Sequence, residues 1–190
     1  MFYYYRNDKW ENSCDEKRQE LLLTAVDAGA SMIDVMGDLY DPSPREITHN
    51  PDALDKQRCL IDEIHARGAA VVMSSHMPTE SRSTEQVIEH MLELESRGPD
   101  VVKIVTGANT EEDLVEAIRT TIALNRELEV PFIHLCNGPY GRPHRFIGPI
   151  LGVSITFAVY HYQRYNYHQP TIGGMRAAVE NMRWNINNID

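Results

Sequence analysis

A single lysine interrupts the apolar run Asp100-Val101-Val102-Lys103-Ile104-Val105. Strand periodicity puts Val101, Lys103 and Val105 on one face and Val102 with Ile104 on the other. A lysine in such a run ordinarily lies on an exposed edge or snorkels to water. Held inside instead, it would lose the solvation that favours the ammonium form and supply a neutral amine, the nucleophile that attacks a carbonyl to form a Schiff base. The other lysines, Lys9, Lys17 and Lys56, fall in loop or helix-surface contexts. A second apolar run, Val71-Val72-Met73-Ser74-Ser75-His76, ends on an imidazole. Barrel enzymes place catalytic groups at this C-terminal edge of a strand. A histidine hydrogen-bonded to a neighbouring loop is the commoner outcome, but an imidazole there can also shuttle a proton near neutral pH. Arg145 follows a third apolar run through the loop Gly138-Pro139-Tyr140-Gly141-Arg142-Pro143-His144. Its planar fork suits a substrate carboxylate, although a surface arginine is the plainer reading.

Other chemistries find less support. The Gly138–Arg145 loop has too few glycines at phosphate-binding spacing, and no helical pattern opens directly after it, so a nucleotide loop is discarded. His49, His65, His90, His161 and His168 form no H-x-x-x-H or similar set with carboxylates, and His134 is placed facing away from the lumen of a barrel; no metal and no cofactor is expected. Cys14, Cys59 and Cys136 are widely spaced and without a C-x-x-C pair, which argues against a disulfide framework and for a reducing compartment. The formal charge of −10 and pI near 5.2 disfavour polyphosphate partners, so no nucleic acid is expected. No apolar run approaches membrane-spanning length and Met1–Arg6 does not read as a signal peptide, which implies a cytoplasmic protein without a membrane partner.

The elements that must hold these residues alternate between short apolar runs and longer helical patterns, the signature of repeated βα units around a parallel sheet. The strand candidates are Phe2–Arg6, Met32–Met36, Ala69–His76, Val101–Thr106, Pro131–Asn137 and Gly152–Ala158, about six in all. Ser83 with Gln86 and Thr110 with Asp113 look like N-caps with reciprocal partners, and Gly68 and Gly98 sit where helices end. Within 84–97, Val87, Ile88, Met91, Leu92 and Leu94 make an apolar face. With 190 residues and 42% apolar content, residues 1–190 are expected to fold around one core.

These motifs resemble the type I 3-dehydroquinate dehydratases over nearly the whole chain. Val72-Met73-Ser74-Ser75-His76 is similar to the family's strand ending in the catalytic histidine, and Asp100-Val101-Val102-Lys103-Ile104 to its Schiff-base lysine strand. Gly141-Arg142-Pro143-His144-Arg145 followed by Gly152-Val153-Ser154-Ile155-Thr156-Phe157 resembles the loop bearing a carboxylate-binding arginine and the last barrel strand. Tyr5-Arg6 resembles a strand that offers another substrate-binding arginine, and Gln169 falls where the family has a glutamine on substrate hydroxyls. The resemblance implies a (β/α)8 TIM-type barrel, here incomplete, with about six βα units and the first two strands missing. It implies a lyase that converts 3-dehydroquinate to 3-dehydroshikimate in the shikimate pathway or quinate metabolism. Lys103 would form the imine, and His76 would remove the neighbouring proton and assist loss of water.

Some positions depart from the family pattern. Met36 stands where the family has a glutamate that supports the histidine. Asp38 is a candidate substitute, though a turn residue before Pro42 is the plainer reading. Met77 replaces a frequent acidic neighbour of the histidine, and Tyr165 stands where a small serine is expected. Two alternatives therefore accompany the dehydratase reading: a dehydratase-derived ligand-binding or regulatory module without turnover, and another class I Schiff-base lyase. An open barrel leaves strand edges uncovered, so a homo-oligomer is expected.

Overall fold

The computed structural model describes residues 1–7, 14–162, 168–182 and 186–188. Four strands lie side by side in sequence order in one parallel sheet: β1 (Met32–Met36), β2 (Ala70–His76), β3 (Val101–Gly107) and β4 (Phe132–Asn137). The helices are α1 (Asp15–Asp27), α2 (Pro51–Ala66), α3 (Thr84–Glu95), α4 (Glu111–Glu127), α5 (Gly141–Ile147) and α6 (Ile172–Met182). Strands and helices alternate from β1 to β4, as the periodicity predicts. β3 is buried along its whole length, the expected state of a strand covered on both faces. None of these helices is long and apolar enough to cross a membrane. The chain forms two compact units, residues 1–75 with 93–102, and residues 76–92 with 103–190.

In the first unit, β1 and β2 pair in parallel from Met32 opposite Ala70 to Met36 opposite Ser74. Asn50 opens α2 by accepting from the Asp52 N–H at 3.0 Å, with Pro51 set in the first turn where its missing donor costs nothing. The loop after β1 buries Leu39 and Ile47 and is also held by a buried polar network. Buried Arg97 donates to the carbonyls of Gly37 (2.6 Å) and Thr48 (2.8 Å) and to Gln57 Oε1 (2.9 Å), while Gln57 Nε2 donates to the carbonyls of Gly37 and Leu39. Removing either side chain would strand buried partners at about 1–3 kcal/mol each.

The strand expected over Phe2–Arg6 does not form. Met1 engages β1, its carbonyl accepting from Asp34 N at 2.9 Å and its ammonium reaching Met32 O. The chain then turns into a 3-10 helix over Tyr5–Asn7. Local carboxylates explain the turn: Tyr4 Oη donates to Glu46 Oε1 (3.0 Å), Tyr5 Oη to Asp38 Oδ1 (2.8 Å), and Arg6 pairs with both acids. A straight strand would alternate these side chains between opposite faces.

Burial, and then the charges of Glu46, Asp38 and of Asp15 with Glu16, raise the phenols of Tyr4, Tyr5 and Tyr40; that of Tyr4 moves to about 12. A raised folded-state value means that the native protein keeps protons which the unfolded chain releases from about pH 10. Stability is therefore expected to be full below that pH and to fall as pH climbs towards 12. Phenolate absorbance followed with circular dichroism should show some of the nine tyrosines titrating only as the fold is lost. Uniform titration of all nine with the dichroism intact would contradict it.

In the second unit both predicted capping boxes are present. Thr110 Oγ1 accepts from Asp113 N (3.1 Å) while the Asp113 carboxylate accepts from Thr110 N (3.1 Å), and Ser83 and Gln86 exchange the equivalent pair. The strand expected over Gly152–Ala158 is again reduced to single contacts. Ser154 N donates to Phe132 O at 3.0 Å, and Val159 makes an isolated bridge to Thr171. A 3-10 turn over Gly148–Leu151 and left-handed Gly152 (φ 103°) bend the backbone before any ladder can extend.

Candidate active site

Lys103 occupies the third position of β3 and is 5% exposed. His76 is the last residue of β2 and half-buried. The Lys103 Nζ and His76 Nε2 lie 2.9 Å apart, so the two residues singled out by their strand positions meet in a hydrogen bond. Neighbouring parallel strands account for the meeting, since their side chains of like direction stand side by side. Phe157 adds a third wall, its ring centroid 5.4 Å from Nζ. An aromatic face at that distance favours a cation. Phe157 comes from the segment expected to be the last strand, and its place against Lys103 survives although the strand does not. Met77, beside the histidine, is buried and gives its N–H to Val105 O at 2.7 Å.

Arg145 is 4% exposed, on α5. Its Nε donates to Cys136 O (2.8 Å) and its Nη2 to Asn137 Oδ1 (2.7 Å), which anchors the guanidinium to the end of β4. Burial lowers this group to about 10. Arginine buried in this way is oriented by fixed acceptors, a suitable preparation for a bidentate anion. The sequence pattern predicts no helix here, yet α5 begins at Gly141, directly after the glycine turn. A Cβ at Gly141 would stand 2.4 Å from Cys136 O, and Gly138 adopts φ 91°, so two glycines let the helix fold back under β4. Gln169 is half-buried in the turn before α6. Its neighbour His168 is lowered by burial and then by the charge of Arg145, which sets this turn within electrostatic reach of the guanidinium.

Arg6 lies in the other unit. Its guanidinium bonds Asp38 Oδ2, Glu46 Oε1 (2.8 Å) and Ser43 O (2.7 Å). Asp38 is fully buried and accepts from Tyr5 Oη and from Ser43 N at 2.7 Å, the work of a residue that organises the turn. Burial, outweighing the bond from Ser43 N, raises its carboxyl. Met36 is buried at the end of β1. Tyr165 lies outside the described residues, as does Lys9.

The sequence and the fold have counterparts among known proteins. A model of the type I 3-dehydroquinase family matches residues 5–184. The 3-dehydroquinate dehydratase of Alkaliphilus oremlandii is 33% identical over 114 residues, 60% of this chain and 44% of that protein. That of Klebsiella pneumoniae is 27% identical over 101 residues, 53% of this chain and 40% of that protein. The chain thus covers less than half the length of these curated relatives. Among solved structures, type I 3-dehydroquinate dehydratase from Clostridium difficile superposes with a TM-score of 0.78 at 16% identity, over 95% of this chain and 67% of that one. The Enterococcus faecalis 3-dehydroquinate dehydratase gives 0.73 at 18% identity with the same coverage. These likenesses identify the fold as part of an α/β barrel of the TIM type.

Proposed function

Because the chain belongs to the type I 3-dehydroquinase family, we propose that it is a Schiff-base dehydratase acting on 3-dehydroquinate. The observation that carries this reading is the 2.9 Å contact between a lysine amine 5% exposed and a histidine at the end of the next strand. Lys103 attacks the ketone, and loss of one water leaves an iminium. His76 takes the proton from the adjacent carbon, and the electron pair moves into the iminium, which acts as the sink. The resulting enamine expels hydroxide, protonated by the same imidazole, and hydrolysis of the imine frees 3-dehydroshikimate and the amine. Charge is thereby stabilised where it develops in the transition state. Arg145 holds the carboxylate and fixes which proton faces His76, and Gln169 contacts the hydroxyls. The reaction places the protein in shikimate-type metabolism, as a cytoplasmic enzyme that self-associates.

A second reading is favoured by Met36. A thioether cannot orient or charge-support an imidazole as a carboxylate does, so the chain could be a ligand-binding module derived from the enzyme. Formation of the conjugated enone absorbance from 3-dehydroquinate, abolished in Lys103→Met, is the expected result. Calorimetric binding of 3-dehydroquinate with no enone formed would select the second reading instead.

A further inference from the structure

We propose that His134, Cys136 and His144 form a buried site for one borderline or soft metal ion of the zinc type, set between β4, α4 and α5. His134 and Cys136 share the face of β4 opposite to Leu135, by the alternation of a strand, and α5 folds back to bring His144 onto them. One nitrogen of each ring and the sulfur all lie within 4.8 Å of one another, and all three residues are buried. The His134 Nε2 and Cys136 Sγ are already 3.8 Å apart. A tetrahedral zinc, with Zn–N about 2.0–2.1 Å and Zn–S about 2.3 Å, holds such atoms about 3.3–3.7 Å from one another, so closure needs roughly 1 Å of side-chain movement.

Thr121 Oγ1 lies 2.8 Å from Ala117 O, 2.9 Å from His134 Nδ1 and 2.8 Å from His144 Nε2, so one hydroxyl joins both rings. His134 Nε2 faces the Cys136 sulfur and Thr106 Oγ1 (3.2 Å). His144 Nδ1 is buried from solvent without a hydrogen-bond partner among the described residues. A hydroxyl on one nitrogen of each ring is the support that metal-binding imidazoles ordinarily receive. The Cys136 thiol would exchange its proton for the metal: the S–H bond breaks, the S–metal bond forms, and one proton leaves to solvent. Two imidazoles and a thiolate suit zinc, cobalt or cuprous copper rather than magnesium or calcium. The spacing H-x-C with a second histidine eight residues later escapes the helical H-x-x-x-H pattern, which explains why the sequence alone gave no hint of it. The site would clamp α5, and with it Arg145, onto β4.

The test uses the full chain with Cys14→Ser and Cys59→Ser, two exposed thiols, so that Cys136 is the single thiol left. After chelation under reducing conditions it is refolded with cobalt(II). A thiolate-to-cobalt charge-transfer band with four-coordinate d–d bands, saturating at one ion per chain and displaced by zinc, is expected. Thr121→Val, which removes the supporting oxygen, is expected to weaken cobalt binding about 10–100-fold. Absence of the charge-transfer band from the folded protein, or its persistence in Cys136→Ala, overturns the proposal.

Discussion

Lys103→Met is expected to lower turnover of 3-dehydroquinate by on the order of a millionfold, the loss seen when a covalent nucleophile is removed from an enzyme that depends on it. Methionine keeps much of the length and packing of the lysine stem, so the fold should survive and circular dichroism should be unchanged. Binding is predicted to change far less than turnover, because Arg145 and Gln169 are untouched and the amine acts on the reacting carbon alone. The iminium of the proposed mechanism stabilises electron density that exists only after the proton begins to leave, so its removal raises the barrier without comparable loss of ground-state affinity. A Lys103→Met variant that retains more than about a hundredth of the parent rate would be inconsistent with an obligatory imine.

His76→Ala is expected to reduce kcat by about 10²–10⁴-fold, the contribution of one positioned acid or base. Its signature should differ from that of the lysine variant. With Lys103 intact, the imine still forms, and because its onward reaction is slowed the covalent adduct should accumulate. In the proposed mechanism the imidazole, 2.9 Å from Nζ, also serves the amine before its attack on the ketone. Adduct formation in His76→Ala should therefore be slower than in the parent, yet still go to completion. If the variant turned over normally, the base would have to be another group, and the proximity of His76 to Nζ would be structural only.

Much of this site is legible in the chain. Lys103 and His76 each stand on a short apolar run with no competing lysine or strand-end histidine of the same kind, and runs of that type become buried parallel strands almost regardless of context. The four strands that form differ from their predicted bounds by a residue or so, and the reciprocal caps at Ser83 and Thr110 are local features that the sequence specifies by itself. At 2–6 and 152–158 the apolar composition predicts a strand, but side-chain partners distant in sequence decide the outcome at the first, where Asp38 and Glu46 draw Tyr5 and Arg6 into a turn. Backbone conformation decides it at the second, where Gly152 takes φ 103°. The seven residues of α5 are too short for a periodic signal, and what admits the helix is the close approach of Gly141 to Cys136 O. Neither the Arg97–Gln57 network nor the meeting of His134 with His144 has any local signature, since each depends on helices that the sheet brings together.

The most direct measurement is borohydride reduction of the folded protein in the presence of 3-dehydroquinate, followed by peptide mass mapping. A single increment of one reduced imine on the peptide carrying Lys103, absent from Lys103→Met and absent without borohydride, is the predicted result. Folded protein that binds 3-dehydroquinate yet carries no increment, or carries it on Lys9, Lys17 or Lys56 instead, would contradict the assignment of Lys103 as the amine that condenses with the ketone.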